Sequence, residues 1–428
     1  MPSTFFFSDS PSTVTSTDAV ITSSSYGGRT STLTSVQLGN EVITIGSLAF
    51  YNCTSLASIT IPSSVTTIQN SAFLFCASLS SIDIPSSVTS IGNGSVFTGC
   101  TSLISINVNA SNLNYTSSNG ILFNKNLTTL ISYPAGKSGN NYTIPDSVTN
   151  IGSYAFYGST FLTSITMPNF VTDIGTQAFT NCALLSSINI PNSITSIGNS
   201  AFFGCSSLLS INIPNLITTI ENSVFQNCTL LTNITIPSSV TTIGAGAFIG
   251  CGFVSITIPS SVTSIGNSVF LNCPLLTNIT IPNSITSIES STFSGCISLV
   301  SIIISNSVTS IANQAFFGCT SLASITIPMS VTSIANQAFY NCNSLNRINF
   351  LGNPPTLGSN VFTGTTPANL KVYRYSTKSG WSSTFDGKDV LLIDTPSKGL
   401  RTFGFSGLSS GKTSIKKQNL GGGKINLN

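Results

Sequence analysis

The chain has 428 residues, of which only 6% are charged and none is histidine, whereas an ordinary soluble domain carries roughly a quarter charged residues. Without histidine, mechanisms built on an imidazole base, a Ser/His or Cys/His nucleophile or a His-ligated metal are excluded. A hydrophobic content of 41% suffices for a large buried core. The apolar runs, such as residues 299–304, fall far short of the roughly 18 needed to cross a bilayer, so no membrane span is expected.

Residues 1–30 read as a polar N-terminal segment with a first strand near residues 19–22. The segment lacks the basic start and apolar stretch of a secretory signal, which leaves the compartment open.

From residue 31 the chain becomes periodic. Eleven cysteines stand at 53, 76, 100, 182, 205, 228, 251, 273, 296, 319 and 342, separated by 23, 24, 82, 23, 23, 23, 22, 23, 23 and 23 residues. A period this constant marks a repeat array in which no unit can bury its apolar face alone. A phenylalanine precedes every cysteine by three residues, and the same register recurs without cysteine at Phe156 and Phe362; the 11 cysteine units and these two make 13.

In the unit anchored at Cys205, Leu208, Ile211 and Ile213 have the spacing of a half-buried strand. Its return every 23 residues predicts parallel strands paired coil to coil. Proline follows in most units, as at Pro214, Pro237 and Pro282, where the missing amide ends the strand. Residues 262–266 read as a second short extended segment, and 199–205 as a single helical or 3-10 turn with Phe202 pointing inward. The prediction is one repeat solenoid over residues 31–365, of about 13 to 14 coils.

The rhythm breaks once. Between Cys100 and Ser159, Tyr115, residues 121–123, 130–131 and 133–134 predict an irregular extra pair of strands, an insert spanning about 109–142. Beyond the array, residues 366–396 are predicted as a C-terminal cap containing Trp381, and 397–428 as a flexible, basic, Gly/Ser-rich tail. Within that tail, residues 407–413 miss a phosphate-binding loop by one glycine, with Ser406 where the motif needs it, and too little chain follows to build the required fold.

Units such as Leu322 to Pro328, followed by Val331 to Ile334 and Ala338 to Cys342, resemble the BspA-type leucine-rich repeats. The insert, with Asn114-Tyr115, Gly120 to Lys125 and Leu130 to Pro134, is similar to one these proteins often carry, as is the segment from Gly352 through Trp381. The resemblance covers about residues 31–395 and implies a leucine-rich-repeat solenoid with parallel β-strands and short helical or 3-10 turns. It also implies a non-enzymatic module, often at a cell surface, that binds host proteins, matrix or other cells.

The cysteine column contains no pair two to four residues apart, so no zinc site is expected, and free stacked thiols are. The carboxylates are scattered singly through the array, so no paired acid and base is visible; no catalytic, metal or cofactor residue is assigned. The candidate partner-binding face is the outward file of the first strand: Thr166, Asn189, Asn212, Thr235, Thr257, Thr280, Thr326 and Asn349. Its expected ligand is a protein or a glycan, because extended faces are what solenoids offer to partners; nucleic acid is not expected. The alternative is a structural component of a larger assembly or homo-oligomer, with Lys412, Lys416 and Lys417 of the tail as tether.

Overall fold

The computed structural model describes residues 1–365, 370–375 and 377–393. The tail and its Lys412, Lys416 and Lys417 lie outside the described residues, as does part of the cap.

The unit Met1–Ile393 is a β-solenoid of about 15 turns with almost no helix. Most coils contribute a short strand to each of two parallel ladders. In the first ladder the register advances by whole repeats: Ser35 pairs with Ser58, Ser164 with Ser187, Asn278 with Ser301 and Ser324 with Arg347. The second runs from Val20–Ile21 to Thr356–Leu357 and likewise pairs Ile68 with Ile91 and Ile311 with Ile334. In most strands the inward Ile is buried while its flanking Ser, Thr or Asn is not, the alternation that the sequence spacing predicts; Ile91 and Ile234 are half-buried.

Two coils carry a tyrosine in place of the phenylalanine and account for the extra turns. In the first, Tyr26 takes the phenylalanine's place and stacks on Phe50, with ring centroids 5.8 Å apart; in the insert, Tyr133 does the same against Phe156 at 5.2 Å. The remaining rings continue the column, as in Phe179 on Phe202 at 5.1 Å and Phe316 on Phe339 at 5.1 Å. Offset stacking at this spacing suits both the ring quadrupoles and the roughly 4.8 Å rise from strand to strand.

The turn carrying each phenylalanine is 3-10 only at Ser23–Tyr26 and Gly94–Phe97 among the described residues; elsewhere it is a chain of hydrogen-bonded turns. The reason is a left-handed residue two positions before the phenylalanine, as at Ser71, Ser200 and Gln314, which stops a helix from propagating. A second left-handed residue stands just before the cysteine, and the sequence puts Asn or Gly there in nearly every coil, as at Asn181, Gly204, Asn227 and Gly250.

The insert divides the core in two. Its hairpin, Tyr115–Ser118 with Ile121–Asn124, crosses the coil antiparallel before Thr129–Ser132 rejoins the second ladder. Leu122 packs into a core running back to Phe5, whereas Ile121 and Phe123 pack into the core that extends to Val372. Alternate side chains of one strand therefore face opposite cores.

At the N-terminal end, Ser3–Phe7 pairs antiparallel with Ser10–Ser16 and with Leu33–Gln37, so the first coil meets a hairpin rather than an open edge. At the other end Lys371–Tyr375 and Lys388–Ile393 extend the first ladder, and Trp381 packs on Phe350 and Phe385.

Candidate binding face

The outward side chains of the first ladder stand on strands whose inward Ile residues are locked in the core, so the face is rigid without needing a partner. Thr166, Asn189, Asn212, Thr235, Thr257, Thr280 and Thr326 are exposed and Asn349 is half-buried. Cross-strand register makes neighbours of Asn212 and Thr235, and of Thr326 and Asn349.

What these groups bond to depends on their position along the coil. One residue ahead of the second-ladder strands the threonines are committed: the hydroxyl of Thr172 donates to the carbonyl of Thr149 at 3.2 Å, Thr195 to Thr172 at 3.2 Å and Thr332 to Thr309 at 3.3 Å. On the first ladder, among the described residues, the side chains of Thr166, Asn189, Asn212, Thr235, Thr257 and Thr280 make no hydrogen bond within the chain. Only the end of the file is tied, where the Asn349 amide donates to Thr326 Oγ1 at 3.3 Å.

The file is interrupted around Thr257. Its coil is one residue short between Cys251 and Ser255, so only an isolated bridge, Ser255 to Asn278, joins it to the next strand. Open grooves lie on either side, one bounded by Thr235 and Thr257, the other by Thr257 and Thr280. At the C-terminal end the face changes character: Arg347 pairs in register with Lys371, its guanidinium lies 4.4 Å over the Tyr373 ring, and its Nε donates to Asn349 Oδ1 at 2.8 Å. Sequence spacing alone misses this basic and aromatic end, because Lys371 and Tyr373 lie beyond the last regular repeat.

The cysteine column is fully buried and free of disulfides. It is also more than apolar filling. Each thiol from Cys76 onward donates to the carbonyl of the phenylalanine one coil back, as Cys205 to Phe179 at 3.1 Å and Cys342 to Phe316 at 3.0 Å. Burial pushes the thiols up, Cys53 to about 11 and Cys182, Cys228 and Cys273 to about 12. Thiols held protonated in this way are poor nucleophiles and poor metal ligands. Among the described residues no cluster of three Cys, Asp or Glu could hold a metal ion, and no helix is long and apolar enough to cross a membrane.

The sequence profile of the BspA type leucine-rich repeat region matches residues 20–136, 132–254 and 241–369. The chain belongs to the BspA-type leucine-rich repeat family. Among solved structures, this BspA-type chain is similar to a leucine-rich repeat protein from Bacteroides ovatus, 28% identical with a TM-score of 0.52, over 92% of this chain and 98% of that one. It is also similar to a leucine-rich cell surface protein from Faecalibacterium prausnitzii, 29% identical with a TM-score of 0.44, over 80% and 85% of the two chains. The pneumococcal vaccine antigen PcpA aligns at 22% identity and a TM-score of 0.42, over 85% of this chain and 68% of that one. No curated protein matches the sequence.

Proposed function

We propose that this BspA-type protein is a non-enzymatic binding module of the adhesion kind, and that the outward file of the first ladder, centred on Thr235, Thr257 and Thr280, is its contact surface. The observation that supports this reading is that the outward side chains from Thr166 to Thr280 make no hydrogen bond within the chain, whereas the threonines just ahead of the strands, Thr195 and Thr332 among them, are consumed by the backbone. Rigid, uncommitted donors and acceptors favour a protein or glycan ligand, since little conformational freedom is lost when it binds. The grooves flanking Thr257 give that ligand a place to seat side chains or sugar rings. Arg347 and Tyr373 at the end of the file are residue types that dominate binding energy at interfaces.

The test is a binding screen of the full chain against arrays of matrix proteins and glycans, run beside the triple variant Thr235→Lys/Thr257→Lys/Thr280→Lys. The expected result is a ligand that the wild type retains and the variant loses at least tenfold, with unchanged circular dichroism. A variant that binds every ligand as well as the wild type overturns the assignment of this face.

A further inference from the structure

A stripe of exposed apolar side chains runs along the turn that leads into the first ladder. It takes one residue from each of seven consecutive coils, from Phe161 through Leu184, Leu209, Leu230, Val254 and Leu275 to Val300, each 49–55% exposed. These side chains flank the buried leucine file represented by Leu162, Leu208 and Leu299. Outside those coils the two positions beside the buried leucine carry small or polar residues, such as Ser55, Ala57, Ser78 and Ser80 before and Ser321, Ala323 and Ser344 after; Ile104 is the exception and lies beyond the insert. The repeat template therefore does not require an apolar residue here, yet seven coils in a row have one, and contiguous apolar surface of this kind marks an interaction site.

We propose that this stripe is a homodimer interface, its occupant the same stripe of a second copy. Three observations select that occupant. First, the stripe advances one coil at a time, at a rise of about 4.8 Å, its side chains taken from just before or just after the buried residue of each coil, and an identical chain supplies a partner surface with the same spacing. Second, no Lys or Arg occurs between Lys137 and Arg347, and of the four acids of that stretch Asp146 follows Pro145 in the turn between the ladders while Asp173, Glu221 and Glu289 belong to the second ladder or the residue directly after it. Two copies thus meet without like-charge repulsion, while a charged partner finds nothing on the stripe to pair with. Third, half-exposed side chains of this size leave on the order of 80 Å² each, so the stripe and its margins offer about 600–700 Å², close to the roughly 800 Å² per partner of a stable interface.

A two-fold arrangement sets the stripes antiparallel, as self-complementary interfaces require. Leu230, from the fourth of the seven coils, then lies near the axis opposite Leu230 of the second copy, and Leu184 meets Leu275 of the second copy. The stripe precedes the strands, so the outward file of the first ladder stays open to a ligand.

The experiment is sedimentation equilibrium of the full chain at micromolar concentrations. Wild type is expected to be a dimer, and Leu184→Lys/Leu230→Lys/Leu275→Lys a monomer with an unchanged melting midpoint, the dissociation constant rising at least about 100-fold. Leu230→Cys gives a second readout that does not depend on the triple variant folding: under mild oxidation it should form a disulfide-linked dimer, while Thr332→Cys just ahead of a second-ladder strand should not. A wild type that stays monomeric, including one that instead binds lipid vesicles or an apolar peptide, overturns the proposal. So does a dimer that survives the lysines, or equal cross-linking at the two cysteine positions.

Discussion

The thiol of Cys205 donates a 3.1 Å hydrogen bond to the carbonyl oxygen of Phe179, one coil earlier. The bond ties the turn of one repeat to the aromatic column of the previous one, and it recurs from Cys182 to Phe156 and from Cys228 to Phe202. Cys205→Ala removes the sulfur and leaves that carbonyl with the Cys182 amide, 3.2 Å away, as its remaining donor. The expected loss is about 1–2 kcal/mol, combining a small cavity with the loss of one of the carbonyl's two hydrogen bonds. Urea unfolding followed by circular dichroism should show a lower midpoint for Cys205→Ala, and an unchanged midpoint would refute a structural role for the bond.

The same burial predicts how stability depends on pH. The folded-state values of Cys53, Cys182, Cys228 and Cys273 are raised from 9.0 to about 11 or 12. The unfolded chain therefore releases its thiol protons first as pH rises, so the folded state holds more protons in that window. Their contribution is fully present below about pH 9 and is lost between about pH 9 and 12, at roughly 1.4 kcal/mol per thiol per pH unit. Melting midpoints measured up to pH 11 should fall steadily above pH 9. A thiol reagent at neutral pH should label these cysteines only after denaturant is added.

Two glycines in one register separate backbone strain from steric contact. Gly158 and Gly204 are both left-handed, at φ 68° and 71°. A Cβ at Gly158 would meet open space, whereas at Gly204 it would lie 2.4 Å from Asn181 Oδ1. Gly158→Ala should cost about 1 kcal/mol through the backbone alone, and Gly204→Ala measurably more. Adding Asn181→Gly to Gly204→Ala should recover the difference, a coupling that a double-mutant cycle reads directly.

The insert strand gives a matched pair for the divided core. Leu122 and Phe123 are both fully buried but serve different halves. Truncating either to Ala should cost about 2–5 kcal/mol. Hydrogen exchange should rise chiefly in residues 33–108 for Leu122→Ala and chiefly in residues 129–220 for Phe123→Ala. Equal exchange in both halves for both variants would show that the insert does not partition the core.

The sequence by itself determined the solenoid, because a 23-residue period repeats every constraint: inward Leu and Ile, a ring, a cysteine, and Asn or Gly where the backbone turns left-handed. It also marked the outward file, since alternation along a strand fixes which residues leave the core. Tyr26 and Tyr133 were legible in principle, lying 24 and 23 residues before Phe50 and Phe156, but they are hidden by the change of residue type. Only the tertiary structure decided which hydroxyls are free. Thr172 stands one residue ahead of the strand Asp173–Ile174 and Thr235 ends the strand Asn233–Thr235, and the difference arises from whether a carbonyl of the preceding coil lies within reach. It likewise decided that Leu122 faces one core and Phe123 the other, and that scattered apolar residues from Phe161 to Val300 align into one stripe. Such relations join residues a full repeat or more apart, and no spacing rule within a single coil contains them.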